Sequence, residues 1–220
     1  NVVEASLRAG VRHFIVTSSG AAYGYYADNP VPLKETDAIR GNPEFAYSDH
    51  KRQVEEYLAR VRAEHPELRQ LVLRLCTVLG ATTDNQITAL LKKRFLLGIA
   101  GASAPFVFVW DQDVVACLDR GILDEREGLY NVAGDGTLSM QAIARRLRKP
   151  YLAIPAPVLR AALALLHPLG LSQYGPEQVG FLQYRPVLDN AKLKAEFGFV
   201  PEKTSAEALE YYLAHQSTTA

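Results

Sequence analysis

The stretch RHFIVTSSGAAYG, residues 12–24, joins a run of apolar residues to a cluster of hydroxyl groups. A short apolar run without strict alternation is typical of a buried strand in a parallel sheet. Ligands of parallel α/β sheets bind at the carboxyl ends of the strands. We therefore expect Thr17, Ser18 and Ser19 to lie where a ligand docks, although their hydroxyls could instead satisfy backbone groups of the turn.

A tyrosine and a lysine follow at helical spacing. The sequence EFAYSDHKRQVEEYL, residues 44–58, places Tyr47 four residues before Lys51, so the two side chains share one face of the predicted helix. A phenol with a pKa of about 10 is a weak base at neutral pH, and a nearby ammonium stabilises the phenolate form. The pair indicates general acid–base chemistry. Taken alone, it is more typical of an amphipathic surface tyrosine beside a solvated lysine.

The rest of the chain alternates strands with helices. Further strands are predicted at RQLVLRLCTVLG (69–80), PFVFVW (105–110) and GLYNVAG (128–134). Helices are predicted at about 43–63, 113–123, 137–147 and 205–215. Asn42 is the expected cap of the first of these helices, with Pro43 at its first position. Strands separated by helices of this length predict βα units around a parallel sheet.

Composition argues against several classes of function. The 24 Lys and Arg residues balance the 24 Asp and Glu residues, so neither a nucleic acid nor an anionic membrane is an expected partner. The 2 cysteines, and 5 histidines without ligand spacing, favour neither a disulfide framework nor a metal site. The longest weakly polar run, from Phe95, is shorter than the roughly 20 residues that span a bilayer. We expect a cytoplasmic protein with reduced thiols.

The motifs occur in an order that resembles a known family. VTSSGAAYG, YSDHK and LVLRLCTVLGA are together similar to the extended short-chain dehydrogenase/reductases, in the branch of NAD-dependent epimerases and dehydratases. FVFVWDQDVVACL, GLYNVAGDGTLSMQAIA and RPVLDNAKLKAEFGFVP resemble later parts of the same family, so the likeness covers essentially the whole chain. The resemblance implies an α/β fold with a Rossmann-like, doubly wound parallel sheet and a smaller C-terminal substrate lobe. Residues 1–80 would form the C-terminal half of the NAD(P)-binding domain, and residues 81–220 the remaining, interleaved Rossmann elements and the substrate lobe.

The resemblance also implies roles for individual residues. Tyr47 matches the family's general acid/base, Lys51 the lysine that holds the nicotinamide ribose, and Ser19 the catalytic serine or threonine. The further positions that match cofactor-lining residues of the family are Thr17, Leu75 and Cys76. The implied cofactor is NAD or NADP. The implied reaction is hydride transfer at a secondary alcohol or ketone, as net oxidation, net reduction or epimerisation.

Two departures from the family pattern change these expectations. The family begins with a strand and a Gly-x-x-Gly-x-x-Gly loop over the pyrophosphate, and this sequence contains no such loop. We therefore expect the N-terminal half of the Rossmann domain to be missing from this sequence. A non-catalytic or truncated module with a regulatory or assembly role is the alternative.

The second departure concerns the substrate. Thr77 and Phe106 stand where nucleotide-sugar epimerases carry an Asn and an Arg that contact the nucleotide diphosphate. An Arg supplies a charged fork for phosphate that Phe cannot supply. The expected substrate is therefore either a nucleotide sugar or a less charged alcohol or ketone. Homodimerisation through the helix that carries Tyr47 and the helix before it is a further expectation of the resemblance.

Overall fold

The computed structural model describes residues 2–102, 105–172 and 175–216. The strands are β1 (His13–Ser19), β2 (Arg69–Leu75), β3 (Thr77–Leu79), β4 (Leu96–Ile99), β5 (Phe108–Trp110), β6 (Gly128–Val132) and β7 (Tyr151–Ile154). The α-helices are α1 (Val2–Arg8), α2 (Ala46–Glu64), α3 (Gln86–Leu91), α4 (Asp111–Leu123), α5 (Met140–Arg146), α6 (Ala156–Leu166), α7 (Gln178–Gln183) and α8 (Ser205–Gln216). A short 3-10 helix spans Gly20–Tyr23, and a π-helical turn spans Leu193–Phe197.

Parallel strands form the central sheet in the order β1–β2–β6. The register pairs Ser19 with Leu75 and Leu75 with Val132, so all three strands end together at one edge. Two further pairs of parallel strands, β3–β5 and β4–β7, each form a two-stranded sheet. The predicted α/β fold with parallel sheets is confirmed.

Helices cover both faces of the central sheet. On one face, Leu58 of α2 packs in a buried cluster with Val72 of β2. On the other face, Cys117 of α4 packs in a second buried cluster with Leu71 and Leu73. Neighbouring residues of β2 point to opposite layers because side chains alternate along a strand. This arrangement is the doubly wound, Rossmann-like sheet that the sequence predicts.

The later part of the chain builds its own core beside the central sheet. Phe108 of β5, Leu96 of β4, Ile143 of α5 and Leu209 of α8 are fully buried in one cluster. This core positions α7 and the segment that follows it, which both contribute to the site described below. No helix within the described ranges has both the length and the apolar character needed to cross a membrane.

Some element boundaries differ from the sequence prediction. The strand predicted at 69–80 is two strands, β2 and β3, which belong to different sheets. The helix predicted to start after Asn42 begins at Ala46, with Phe45 in the cap position. Asn42 does not cap this helix because its Oδ1 accepts a hydrogen bond from the backbone N of Tyr25 at 2.7 Å. The order of strands and helices is unaffected.

Candidate active site

Hydroxyl groups at the end of β1 line a cavity of about 580 Å³, as the sequence predicts for Thr17, Ser18 and Ser19. Ser19 Oγ accepts a hydrogen bond from the backbone N of Ala21 at 3.2 Å and so caps the 3-10 helix. A hydroxyl also carries a proton that it can donate. Ser19 therefore caps the 3-10 helix and also lines the cavity.

Tyr47 and Lys51 reach the same cavity from the start of α2. Lys51 Nζ lies 5.8 Å from the centroid of the Tyr47 ring and donates to the backbone oxygen of Thr17 at 3.1 Å. The Tyr47 side chain is half exposed, at 50%. The structure thus brings together every residue that the sequence nominates for the site, namely Thr17, Ser19, Tyr47, Lys51, Leu75 and Cys76. Their individual roles stay predictions.

Hydrogen bonds hold α2 against the end of β1 on either side of Lys51. One turn before it, Ser48 Oγ donates to the backbone oxygen of Ala21 at 2.7 Å. One turn after it, Glu55 Oε1 accepts from Ser18 Oγ at 2.5 Å. These bonds fix the helix that carries Tyr47 relative to the strand end.

A buried ion pair lies behind the cavity. Arg74 Nη2 lies 2.6 Å from Glu55 Oε2, with the two side chains 4% and 2% exposed. Arg74 Nη1 also donates to the hydroxyl of Tyr23 at 2.7 Å. Burial raises the pKa of Tyr23 to about 12, so this phenol is neutral at physiological pH. Because Arg74 belongs to β2 and Glu55 to α2, the pair joins the sheet to the helix beneath the site.

Leu75 and Cys76 line the cavity where β2 ends. Burial raises the pKa of the Cys76 thiol above its ordinary value, so the sulfur stays protonated. A protonated thiol is a poor nucleophile and a poor metal ligand. Among the described residues, no group of three or more His, Cys, Asp and Glu side chains is placed to hold a metal ion.

Arg185 also lines this cavity, although no local pattern in the sequence marks it. Its guanidinium lies 3.9 Å from the ring centroid of Phe106 and 4.2 Å from that of Phe181. Its Nε and Nη2 atoms are shielded from solvent and have no hydrogen-bond partner within the described ranges. Burial lowers the pKa of Arg185 to about 10, which leaves the group positively charged at neutral pH. Since its neighbours come from different elements, local spacing in the sequence gives no signal for it.

Aromatic side chains connect the position of Tyr47 to that of Arg185. We call this group the aromatic wall; its members, which all line the cavity, are Tyr25, Phe45, Phe106 and Phe181. The Phe45 ring lies 6.3 Å from the Tyr47 ring and 5.7 Å from the Phe181 ring. Tyr25 lies 5.0 Å from Phe181, and burial raises its pKa to about 12. Tyr25, Phe45 and Phe181 therefore form a chain of ring contacts in the cavity lining, and Phe106 joins them through Arg185.

Comparison with known proteins identifies the family. Residues 1–132 match the family model described as the NAD dependent epimerase/dehydratase family. This match covers more than half of the 220 residues. The chain belongs to the NAD-dependent epimerase/dehydratase family.

Solved structures of epimerases and dehydratases share the fold. UDP-glucose 4-epimerase from Thermotoga maritima, solved with UDP-glucose, superposes with a TM-score of 0.70 at 20% identity, over 99% of this chain and 67% of that chain. The dTDP-glucose 4,6-dehydratase from Bacillus anthracis, solved with NAD, gives a TM-score of 0.73 at 14% identity, over 99% of this chain and 66% of that chain. At these identities the likeness concerns the fold alone.

Curated relatives of this epimerase/dehydratase chain are longer than the chain itself. An uncharacterised protein of Mycobacterium tuberculosis is 23% identical over 209 residues, which cover 95% of this chain and 56% of that protein. UDP-glucose 4-epimerase from Erwinia amylovora is 36% identical over 86 residues, which cover 39% of this chain and 25% of that protein. The chain thus spans just over half the length of the mycobacterial relative.

Proposed function

We propose that the protein containing this chain interconverts a secondary alcohol and a ketone with NAD or NADP, and that Ser19, Tyr47 and Lys51 are its catalytic residues. The observation that carries the proposal is that a hydroxyl, a phenol and an ammonium share one cavity at the carboxyl ends of a parallel sheet. Ligands of such sheets bind at that edge. Membership of the NAD-dependent epimerase/dehydratase family supports the same reaction class.

The described residues fit one end of a dinucleotide. Thr17, Leu75 and Cys76 offer a mostly apolar surface beside Lys51, which suits a nicotinamide and its ribose hydroxyls. The Gly-x-x-Gly-x-x-Gly loop of the family, which holds the pyrophosphate, does not occur in the 220 residues. The fit therefore concerns the nicotinamide end only.

The proposed roles follow from the chemistry of each group. The bound cofactor supplies the hydride acceptor or donor. The Tyr47 hydroxyl exchanges the proton of the substrate oxygen, and the charge of Lys51 stabilises the phenolate form. The single bond from Lys51 to the Thr17 oxygen leaves two of its three N–H groups for ribose hydroxyls. Ser19 donates a hydrogen bond that orients the substrate oxygen.

Arg185 supports a substrate that carries a negative charge. A buried donor without an acceptor costs roughly 1–3 kcal/mol, and more when the donor is charged. The unpartnered Nε and Nη2 atoms of Arg185 therefore favour an anionic ligand group nearby. UDP-glucose, which is bound in the structure of the Thermotoga maritima epimerase, carries such an anionic group in its diphosphate.

A turnover panel tests the proposal and separates its variants. The full-length protein is incubated with NAD or NADP and secondary alcohols or UDP-sugars, and separately with NADH or NADPH and ketones, while product and reduced cofactor are both quantified. A dehydrogenase changes the amount of reduced cofactor in step with product. An epimerase forms product with no net change, because its ketone is transient. Absence of turnover on all classes would favour a non-catalytic module with a regulatory or assembly role.

A further inference from the structure

The aromatic wall gives the cavity a specific surface between the reacting end and the charged end. Its rings make a chain of contacts from Tyr47 through Phe45 and Phe181 to Arg185, with successive separations of 6.3, 5.7 and 4.2 Å. Phe106, whose ring centroid lies 3.9 Å from the guanidinium, is only 2% exposed. Flat apolar groups pack favourably against such a surface by offset or edge-to-face contacts.

The charges around the cavity are few. Among the described residues that line it, Lys51 and Arg185 are the cations, and no carboxylate is present. Lys51 is already bonded to the Thr17 oxygen beside Tyr47, at the reacting end. Because the proposed function assigns the remaining N–H groups of Lys51 to the ribose, Arg185 is the cation left for the charge of a substrate. A diphosphate carries more charge than one guanidinium balances, and its desolvation against these rings would be unfavourable.

Two aromatic rings lie close to the guanidinium, with the centroids of Phe106 and Phe181 at 3.9 and 4.2 Å from it. Its N–H groups all lie in its own plane, so an acceptor meets it edge-on. A planar carboxylate meets a guanidinium in this way, through two parallel hydrogen bonds. The unpartnered Nε and Nη2 atoms of Arg185 provide one pair of donors, which suits a single anionic group rather than a diphosphate.

We propose that the substrate is an alcohol or ketone with a flat, apolar ring body and a single carboxylate, bound along the aromatic wall with its carboxylate at Arg185. This inference rests on the proposed function, because it concerns the same cavity. The ring body lies against Phe45 and Phe181, and the carbinol or carbonyl carbon lies at Tyr47. The substrate class differs from the nucleotide sugars that the solved neighbours bind.

The test uses four probes and the full-length protein. Para-acetylbenzoate has a ketone, an aromatic ring and one carboxylate; para-acetylbenzamide lacks the charge; UDP-glucose has a diphosphate between its sugar and its flat uracil ring. Binding is measured by calorimetry, and reduction with NADH and with NADPH is measured separately. A longer acetyl-biphenyl carboxylate is included so that a probe too short to reach from Tyr47 to Arg185 does not give a false negative result. At least one aryl keto acid should bind about tenfold or more tightly than its amide and than UDP-glucose.

Substitutions test whether binding of the aryl keto acid depends on the aromatic wall and on Arg185. Phe181→Ala and Phe181→Leu should each weaken binding of the aryl keto acid, the first more strongly, while leaving the weak binding of UDP-glucose unchanged. Arg185→Lys keeps the charge but loses the planar fork, so it should reduce the preference for the carboxylate over the amide. Val54→Ala, an exposed position on α2, is the control for handling and folding.

The outcomes separate this inference from the proposed function. Binding of an aryl keto acid that depends on Phe181, without its reduction, would support the substrate class and count against the catalytic roles. UDP-glucose binding as tightly as the aryl keto acids, or no binding of any aryl keto acid, would overturn the inference even if UDP-glucose were turned over.

Discussion

Lys51 Nζ donates a hydrogen bond to the backbone oxygen of Thr17 at 3.1 Å, and this bond ties the helix that carries Tyr47 to the end of strand β1. The same ammonium lies 5.8 Å from the centroid of the Tyr47 ring. One contact therefore fixes both the position of the charge and its distance from the phenol. A side chain placed this way is suited to a structural role and to a chemical one, and the two roles can be separated by substitution.

Replacing Lys51 by Met should lower kcat/KM by about 10²-fold or more, because the charge that stabilises the phenolate is lost. Lys51→Arg should retain part of the activity and most of the stability. Lys93→Met, at an exposed position outside the cavity, is the matched control. Steady-state kinetics and thermal unfolding of each variant provide the readout. An unchanged kcat/KM in Lys51→Met would remove Lys51 from the proposed mechanism.

The Arg74–Glu55 pair should be important for folding. Replacing Glu55 by Gln leaves the charge of Arg74 buried without a counter-ion, which is expected to reduce the free energy of unfolding by about 3–5 kcal/mol. The neighbouring Glu56→Gln removes a partly exposed partner of Arg52 and should cost at most about 1 kcal/mol. Urea unfolding measures both. Equal losses of unfolding free energy in the two variants would show that the buried Arg74–Glu55 pair contributes no more to stability than an exposed ion pair.

Gly134 is a position where the backbone leaves no room for a side chain. A Cβ added there would lie 2.7 Å from the backbone oxygens of Lys203 and Phe108. Gly134→Ala should therefore destabilise the protein by about 1–3 kcal/mol. Gly180, in α7, has open space around it, so Gly180→Ala should be neutral or stabilising by up to about 1 kcal/mol. The comparison is made by thermal unfolding, and a stable Gly134→Ala protein would contradict the packing described.

Asp135 should make stability depend on pH in the acid range. Hydrogen bonds from Lys194 and Asn190 hold the pKa of Asp135 below its ordinary value of 3.8. A carboxyl with a lowered pKa stabilises the folded state above its unfolded pKa, and this contribution is lost as pH falls through the folded pKa. The difference in free energy of unfolding between the native protein and Asp135→Asn should therefore shrink as pH falls. A difference that is constant with pH would show that the charge of Asp135 contributes nothing.

The fold and one part of the site could be predicted because they depend on local patterns. Apolar runs mark β1 and β2, and the spacing of Tyr47 and Lys51 marks one helix face. The strands β4 and β7 were not predicted, because each has only 4 residues, too few for a periodic pattern to mark it. The division into residues 1–80 and 81–220, and dimerisation through α2, stay predictions.

The other half of the site could not be predicted from the sequence. Tyr25 lies in a loop, Phe45 precedes a helix, and Phe181 belongs to a helix of 6 residues. In its own stretch of sequence, each of these aromatic residues looks like an ordinary packing residue. Only the tertiary fold brings their rings together beside Arg185. Packing between elements distant in sequence leaves no periodic signal.

The measurement that tests the proposed function most directly is turnover of the Tyr47→Phe variant of the full-length protein, with Tyr57→Phe on the same helix as control. The substitution keeps the ring and removes only the hydroxyl that exchanges the proton. We predict that Tyr47→Phe lowers kcat by about 10²–10⁴-fold while Tyr57→Phe retains the native rate. A Tyr47→Phe rate equal to the native rate would contradict the assignment of Tyr47 as general acid/base, and with it the proposed site.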